Sequence, residues 1–274
     1  MMNPPYPLMI SFAQQTEDVI LRRLFADRAE GRYVDIGAGH PVEHSITKWF
    51  YDRGWSGINV EPQTDLHRRL CQERPRDRNV KCAIGTQDGD GVLTHFPTHW
   101  GWATTVEDVA SSHQAAGLRT VRSEVPVRRL ESVLDEHCDL PVDFLKVDAE
   151  GAEGAVLSSF DLSRWMPTVV VVEATLPNSP IYHAPWEPLL LDAGYVRTLF
   201  DGLNNFYVRR HDQERIALGS VPSNVFDNFI PFNWWRRLSS AHQRRLLDGF
   251  RRAGEDVSVL SLTGNELADL ESVN

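Results

Sequence analysis

Lysine is nearly absent from this sequence. Lys48, Lys81 and Lys146 are the only lysines among 28 basic residues, and the rest are arginine, which we read as a codon-composition effect. Basic charge is also outnumbered: 38 acidic residues give a formal net charge of −10. A nucleic-acid binder needs a basic face, so this balance argues against that class. Cysteine is scarce too. Cys71, Cys82 and Cys138 are widely spaced, which suggests neither a disulfide framework nor a zinc site and favours a reducing compartment. No apolar run approaches the ~20 residues of a membrane span. The start, Met1-Met-Asn-Pro-Pro5, lacks the basic-then-apolar form of a signal peptide. The expected location is cytoplasmic. What remains is an ordinary globular composition, 42% hydrophobic and 24% charged over 274 residues. That suffices for one large α/β domain, or for a domain with an appendage.

The chain is organised around Tyr33-Val-Asp-Ile-Gly-Ala-Gly-His-Pro41 and Gly57-Ile-Asn-Val-Glu-Pro62. An apolar run ends in Gly37 and Gly39, a helical-period segment follows (Ile46, Trp49, Phe50), and a second apolar run ends in Glu61. Strand, glycine turn, helix and strand make half of a nucleotide-binding α/β domain. The glycines admit a ligand close to the backbone, and Glu61, about 20 residues on, is placed to accept ribose hydroxyls. A dinucleotide fingerprint would want glycine where Val42 stands, and Pro41 removes an N–H that a pyrophosphate would use. S-adenosylmethionine, which carries no phosphate, suits the turn better. A nicotinamide cofactor and a turn with no ligand stay open on the glycines alone.

The chain divides into an N-terminal segment and helix (1–30), a core (31–210) and an extension (211–274). Residues 1–10 are proline-rich. From Ser11 a helix is expected, with Val19, Ile20, Leu21, Leu24 and Phe25 on one face and Gln14, Glu17 and Asp18 in its first turns. Val80–Ile84 reads as a strand whose end, Ala83 and Ile84, offers an adenine ring apolar contact. Val92–Phe96 alternate like an edge strand. Residues 97–123 break the rhythm: Thr98–Trp102 reads as a loop, followed by a weak helix to about Ala116, and the whole is long enough to be a functional lid. Trp100 and Trp102 would either pack inward or wall a sugar site. Leu130–His137 reads as a helix. The strand Val142–Val147 ends in Asp148 and Glu150, and the β-branched run Thr168–Val172, suited to burial on both faces, ends in Glu173. Tyr195–Phe200 and Phe206–Val208 are joined by Asp201-Gly-Leu-Asn-Asn205, which is hairpin chemistry. Right-handed crossovers put Gly37, Glu61, Asp148, Glu173 and this hairpin at one rim, where ligands bind. The extension holds aromatics (Phe226, Phe229, Phe232, Trp234, Trp235) and an amphipathic helix from about Ser239 to Arg252. It is expected to pack on its own domain or to form a homodimer contact.

Five stretches together resemble the FkbM-type S-adenosylmethionine-dependent methyltransferases. They are Ser11-Phe-Ala-Gln-Gln-Thr-Glu-Asp18, Val34-Asp-Ile-Gly-Ala-Gly-His-Pro41, Gly54-Trp-Ser-Gly-Ile-Asn-Val-Glu-Pro62, Phe144-Leu-Lys-Val-Asp-Ala-Glu-Gly-Ala-Glu153 and Asp201-Gly-Leu-Asn-Asn-Phe-Tyr-Val208. The resemblance covers roughly residues 11–210. It implies an α/β class I methyltransferase, Rossmann-like, with a seven-stranded, mostly parallel sheet whose last strand is antiparallel and with helices on both faces. It also implies O-methylation, often of sugar hydroxyls. Asp35, Gly37 and Gly39, with His40 beside them, match the cofactor loop; Glu61 matches the ribose acid; Asp148 and Glu150 match the acids after the fourth core strand. Ser45-Ile-Thr47 stands where the family often has Ser-Asn-Thr. The arginine-heavy composition and the motif set also resemble the mycobacterial methylmannose polysaccharide methyltransferases, whose acceptor is a mannoside oligosaccharide.

A sugar hydroxyl is a weak nucleophile, activated by a general base or by a bound cation. Asp148 and Glu173, ending adjacent strands, would form with Asn204 an oxygen-ligand site for magnesium, with Glu150 or His183 as base. The competing reading is that the acids only offset a sulfonium charge and cap helix starts. The cofactor-binding candidates are Gln14, Asp35, Gly37, Gly39, His40, Glu61, Ala83 and Ile84. A nicotinamide-dependent oxidoreductase and a binding module using the aromatic tail are the rival functions.

Overall fold

The computed structural model describes residues 6–138, 141–252 and 254, so the first five residues and most of the extension beyond Arg252 lie outside the described residues. The chain opens with β1 (Met9–Ser11) and α1 (Glu17–Leu24). The helix therefore starts later than the sequence pattern suggests. Ser11 and the Phe12 amide instead bind the Asp18 carboxylate, at 2.6 and 2.7 Å, and bend the chain between strand and helix.

The glycine-turn unit follows as β2 (Arg32–Ile36), α2 (Lys48–Asp52), β3 (Ser56–Val60), α3 (Thr64–Glu73) and β4 (Arg78–Val80). The run read as one strand to Ile84 is divided. Val80 closes β4, while Ala83 and Ile84 form β5 (Ala83–Ile84) in a different sheet. That second sheet is completed by β6 (Gly89–Phe96), β7 (His99–Thr104) and, after α4 (Glu107–Ala115), β8 (Val121–Arg128), in the order β5-β8-β6-β7. Two expectations are corrected here. Thr98–Trp102 is mostly strand rather than loop, because β7 pairs antiparallel with β6; and β6 is an inner strand, flanked by β7 and β8.

The chain then returns to the main sheet through α5 (Leu130–His137) and β9 (Phe144–Val147), α6 (Glu153–Ser158), α7 (Leu162–Trp165) and β10 (Val169–Glu173). After α8 (Glu187–Asp192) come β11 (Tyr195–Phe200) and β12 (Asn204–Arg209). The main sheet has seven strands in the order β11-β12-β10-β9-β2-β3-β4. β12 runs antiparallel to both its neighbours, and the other pairs are parallel. The β-branched run shows why this sheet is buried on both faces: Val169 and Val171 enter one hydrophobic cluster, Val170 and Val172 the other. Each buried valine contributes roughly 1.5 kcal/mol or more.

The described part of the extension packs on its own domain. α9 (Gln213–Gly219) leads through a 3₁₀ turn to β13 (Phe229–Pro231), which pairs parallel with β1, and to α10 (Phe232–Trp235) and α11 (Ser240–Arg252). Phe232 and Trp235 join Phe12, Val19 and Phe144 in the cluster beneath the sheet. A buried ion pair, Arg23 with Asp227 at 2.7 Å, fastens α1 to the same segment. Among the described residues no helix is long and apolar enough to cross a membrane. Lys48 and Lys146 are buried, and Lys81 is exposed.

Candidate functional site

A cavity of about 640 Å³, within the usual range for small-molecule sites, opens above the carboxyl ends of β2, β3, β9 and β10. Its floor is the glycine turn. Gly37 and Gly39 both have positive φ, +71° and +62°. A Cβ on Gly37 would stand 1.9 Å from the Asp148 carbonyl oxygen, so only glycine lets the turn lie against β9. The Gly39 amide donates to Glu61 Oε2 at 2.9 Å, and the Gln63 amide to Oε1 at 2.8 Å. Glu61 is buried, which pushes its pKa up to about 7 against the pull of those amides. Each of its oxygens retains a lone pair for a ligand hydroxyl.

Lys146, an ammonium inside the apolar strand β9, lies under the turn and also lines the cavity. It donates to the Gly37 carbonyl at 2.6 Å and pairs with Asp35 at 3.2 Å and Asp148 at 3.6 Å. Burial opposes its charge, but those carboxylates more than offset burial and hold its pKa above the ordinary lysine value.

Beside the lysine, Asp148, Glu150 and Glu173 bring one carboxylate oxygen each within 4.8 Å of one another. Burial, then the charge of Asp148, pushes Glu150 up to about 9 and raises Glu173 well above the carboxylate range. One oxygen of Glu150 and one of Glu173 are buried with no hydrogen-bond partner. Buried polar atoms are rarely left so; an oxygen-only cluster with two open acceptors fits a hard divalent cation. Helix capping does not account for them. The Ala149 and Gly151 amides ahead of α6 are taken by Glu153, at 2.9 and 3.1 Å.

The walls come from both sheets. Ala83, Ile84 and Gln14 line the cavity as the sequence suggests. Trp100 lies over Gly39, where a Cβ would meet its ring at 2.9 Å. Trp102 also lines the cavity, and its indole is stacked with His99 at 4.1 Å and His113 at 5.3 Å.

Four candidates stand outside the cavity wall. Asp35 lies beneath the turn, accepting from Thr47 at 3.1 Å. His40 shapes the turn: its Nδ1 accepts the Val42 and Glu43 amides at 3.1 and 3.0 Å, and its Nε2 lies 3.0 Å from an Arg69 guanidinium nitrogen. Asn204 lies opposite Glu173 in the register and so shares its face of the sheet, while its amide N–H donates to the buried Glu17 carboxylate at 2.7 Å. His183 is exposed, anchored by its backbone N–H to Ala174. Two residues that sequence reasoning passed over do line the cavity, Lys146 and His44. The signal for Lys146 is a charge inside an apolar strand. For His44 we find none in the sequence beyond its nearness to the turn.

The chain matches the model of the methyltransferase FkbM domain over residues 35–197. A protein of Beauveria bassiana (strain ARSEF 2860) called Methyltransferase 1 is 34% identical over 96 residues, which is 31% of this chain and 39% of that protein. The match thus spans well under half of that relative's length. A crystal structure of a TehB-like SAM-dependent methyltransferase from Corynebacterium glutamicum ATCC 13032 aligns at 11% identity and a TM-score of 0.37, covering 70% of this chain and 87% of that one.

Proposed function

We propose a reaction from one premise: the chain belongs to the FkbM methyltransferase family. The reaction is methyl transfer from S-adenosylmethionine to a hydroxyl of a sugar or glycan, on a class I methyltransferase fold, with a divalent cation such as magnesium beside the acceptor. The observation that carries it is the cluster of Asp148, Glu150 and Glu173, with its two unpartnered buried oxygens, in the same cavity as the glycine turn and Glu61. The turn itself favours a ligand without phosphate. The Val42 and Glu43 amides, which a pyrophosphate would need, are already given to His40. The three free cysteines support a reducing, cytoplasmic setting.

The chain's residues take distinct parts. Glu61, fixed by two amides, accepts the ribose hydroxyls. Ala83 and Ile84 give the adenine an apolar wall. S-adenosylmethionine brings a methyl group on a positively charged sulfur that is already a good leaving group. Asp148, Glu150 and Glu173 would hold the cation, which would polarise a nearby hydroxyl and lower its pKa. Asn178, Ser179 and Leu203 line the same cavity and would set which hydroxyl lies in line with the methyl group. Removing the hydroxyl proton needs a further group, because these carboxylates are committed to the cation.

The test is incubation with labelled S-adenosylmethionine and a panel of mannosides and other glycosides, before and after exhaustive chelation. Label is expected on a hydroxyl oxygen, lost on chelation and restored by magnesium. Full turnover after chelation would remove the cation from the mechanism, and label only on nitrogen or carbon acceptors would overturn O-methylation. Calorimetry should show S-adenosylhomocysteine binding and no binding of NAD; the reverse would favour an oxidoreductase.

A further inference from the structure

We propose that His44 is the base that takes the acceptor's proton. This rests on the methyl-transfer reading above and supplies the group that reading lacks.

His44 follows the glycine turn and holds a left-handed backbone, φ +61°. That conformation is uncommon for a residue other than glycine and marks a position over-determined by its surroundings. Here it sets the imidazole on the wall of the cavity that holds the three carboxylates, 5.8 Å from the Trp100 ring. Among the described residues no hydrogen bond occupies the imidazole nitrogens.

Of the other ionisable groups lining the cavity, the three carboxylates would hold the cation, and burial pushes the Cys82 thiol up to about 12, so it keeps its proton. Glu61 holds two amides, and Lys146 keeps its proton between two carboxylates. His99 is stacked on Trp102, with Nδ1 2.9 Å from the Thr98 hydroxyl. Glu43 is paired with Arg236 at 3.0 Å. The charged groups acting on His44 are Glu43, Arg236 and Asp148. Burial lowers its pKa below the ordinary histidine value, which keeps the ring neutral and able to accept at pH 7.

The step balances. The acceptor oxygen forms the new bond to the methyl carbon as the carbon–sulfur bond breaks, and that electron pair stays on sulfur. The hydroxyl proton passes to an imidazole nitrogen and then to solvent. The products are a methyl ether, S-adenosylhomocysteine and one proton.

The test compares the unmodified protein with His44→Asn, since asparagine tolerates left-handed backbone; His44→Gln serves if the first variant does not fold. The substrates are labelled S-adenosylmethionine and the glycoside that accepts label. We expect kcat to fall by about 10²-fold or more, with affinity for S-adenosylhomocysteine unchanged. The acid limb of the pH–kcat profile should vanish, and added imidazole should restore part of the rate. A variant that keeps both its rate and its acid limb would overturn the proposal while leaving methyl transfer intact. An unmodified protein that transfers no label to any acceptor would overturn the underlying reading, and this one with it.

Discussion

Glu43 and Arg236 form an ion pair at 3.0 Å that joins the wall of the cavity to the C-terminal extension. Both side chains are partly exposed, so the pair contributes roughly 0–1 kcal/mol to stability. Its effect should be positional. Arg236→Gln is expected to leave the melting temperature within a few degrees and lower kcat several-fold, with S-adenosylhomocysteine affinity preserved. Unchanged steady-state kinetics would show that the extension does not steady this wall.

Removing residues 211–274 should do far more than remove an accessory module. The truncation strips Phe232 and Trp235 from the core and leaves the buried Arg23 without Asp227. We expect an unfolded or aggregated product by circular dichroism. A truncated chain that folds and binds S-adenosylhomocysteine would restore the view of the tail as a separate binding module.

Gly37→Ala should abolish ligand binding and cost several kcal/mol. The added carbon meets a backbone oxygen at 1.9 Å and also forces a positive φ on alanine. Gly39→Ala meets only the edge of the Trp100 ring, at 2.9 Å, and should be milder. Thermal melts and calorimetry on the two variants check the ranking; equal losses would contradict it.

Lys146→Met leaves the Asp35 carboxylate buried without its cation. Breaking a buried pair from one side costs roughly 3–5 kcal/mol, so a large fall in melting temperature is expected. Adding Asp35→Asn should recover part of it. A single variant as stable as the parent would mean that the pair does not hold the turn in place.

Stability should fall as pH rises from about 4 to about 8. Burial, then Asp201, pushes Glu17 up to about 8; burial also pushes Asp18 up to about 6, against the Ser11 and Phe12 hydrogen bonds. Between the ordinary and folded pKa values the native state binds protons that the unfolded chain has released, so each pH unit there subtracts stability. The total is on the order of a few kcal/mol. Glu17→Gln should flatten the upper part of the melting-temperature profile, near pH 6–8. An unaltered slope would refute the assignment.

Much of the main sheet is legible in the sequence because its strands carry unbroken apolar runs and its acids end them. Val169–Glu173 and Phe144–Val147 declare themselves in this way, and the rim acids follow from the direction of the strands. The second sheet is not legible. Thr98–Trp102 shows no alternation, and its extended form comes from pairing with β6, which local propensity does not encode. Direction within the site is equally hidden. Asn204 and Asn205 are neighbours on β12 and so face opposite ways. One serves Glu17, and the other donates to Tyr182 and Tyr207. Nothing in Leu-Asn-Asn-Phe shows that Asn204, opposite Glu173 in the register, gives its amide N–H to Glu17. His183 is likewise exposed, with its backbone N–H on the Ala174 carbonyl, and the sequence carries no sign of that.

With Lys48 and Lys146 shielded, Lys81 is the one solvent-facing side-chain amine among the described residues. It directly precedes Cys82, Ala83 and Ile84, which line the cavity. An amine-reactive dye should therefore settle at a single internal position, next to the expected adenine contact, and its emission would give a direct optical readout of nucleoside occupancy.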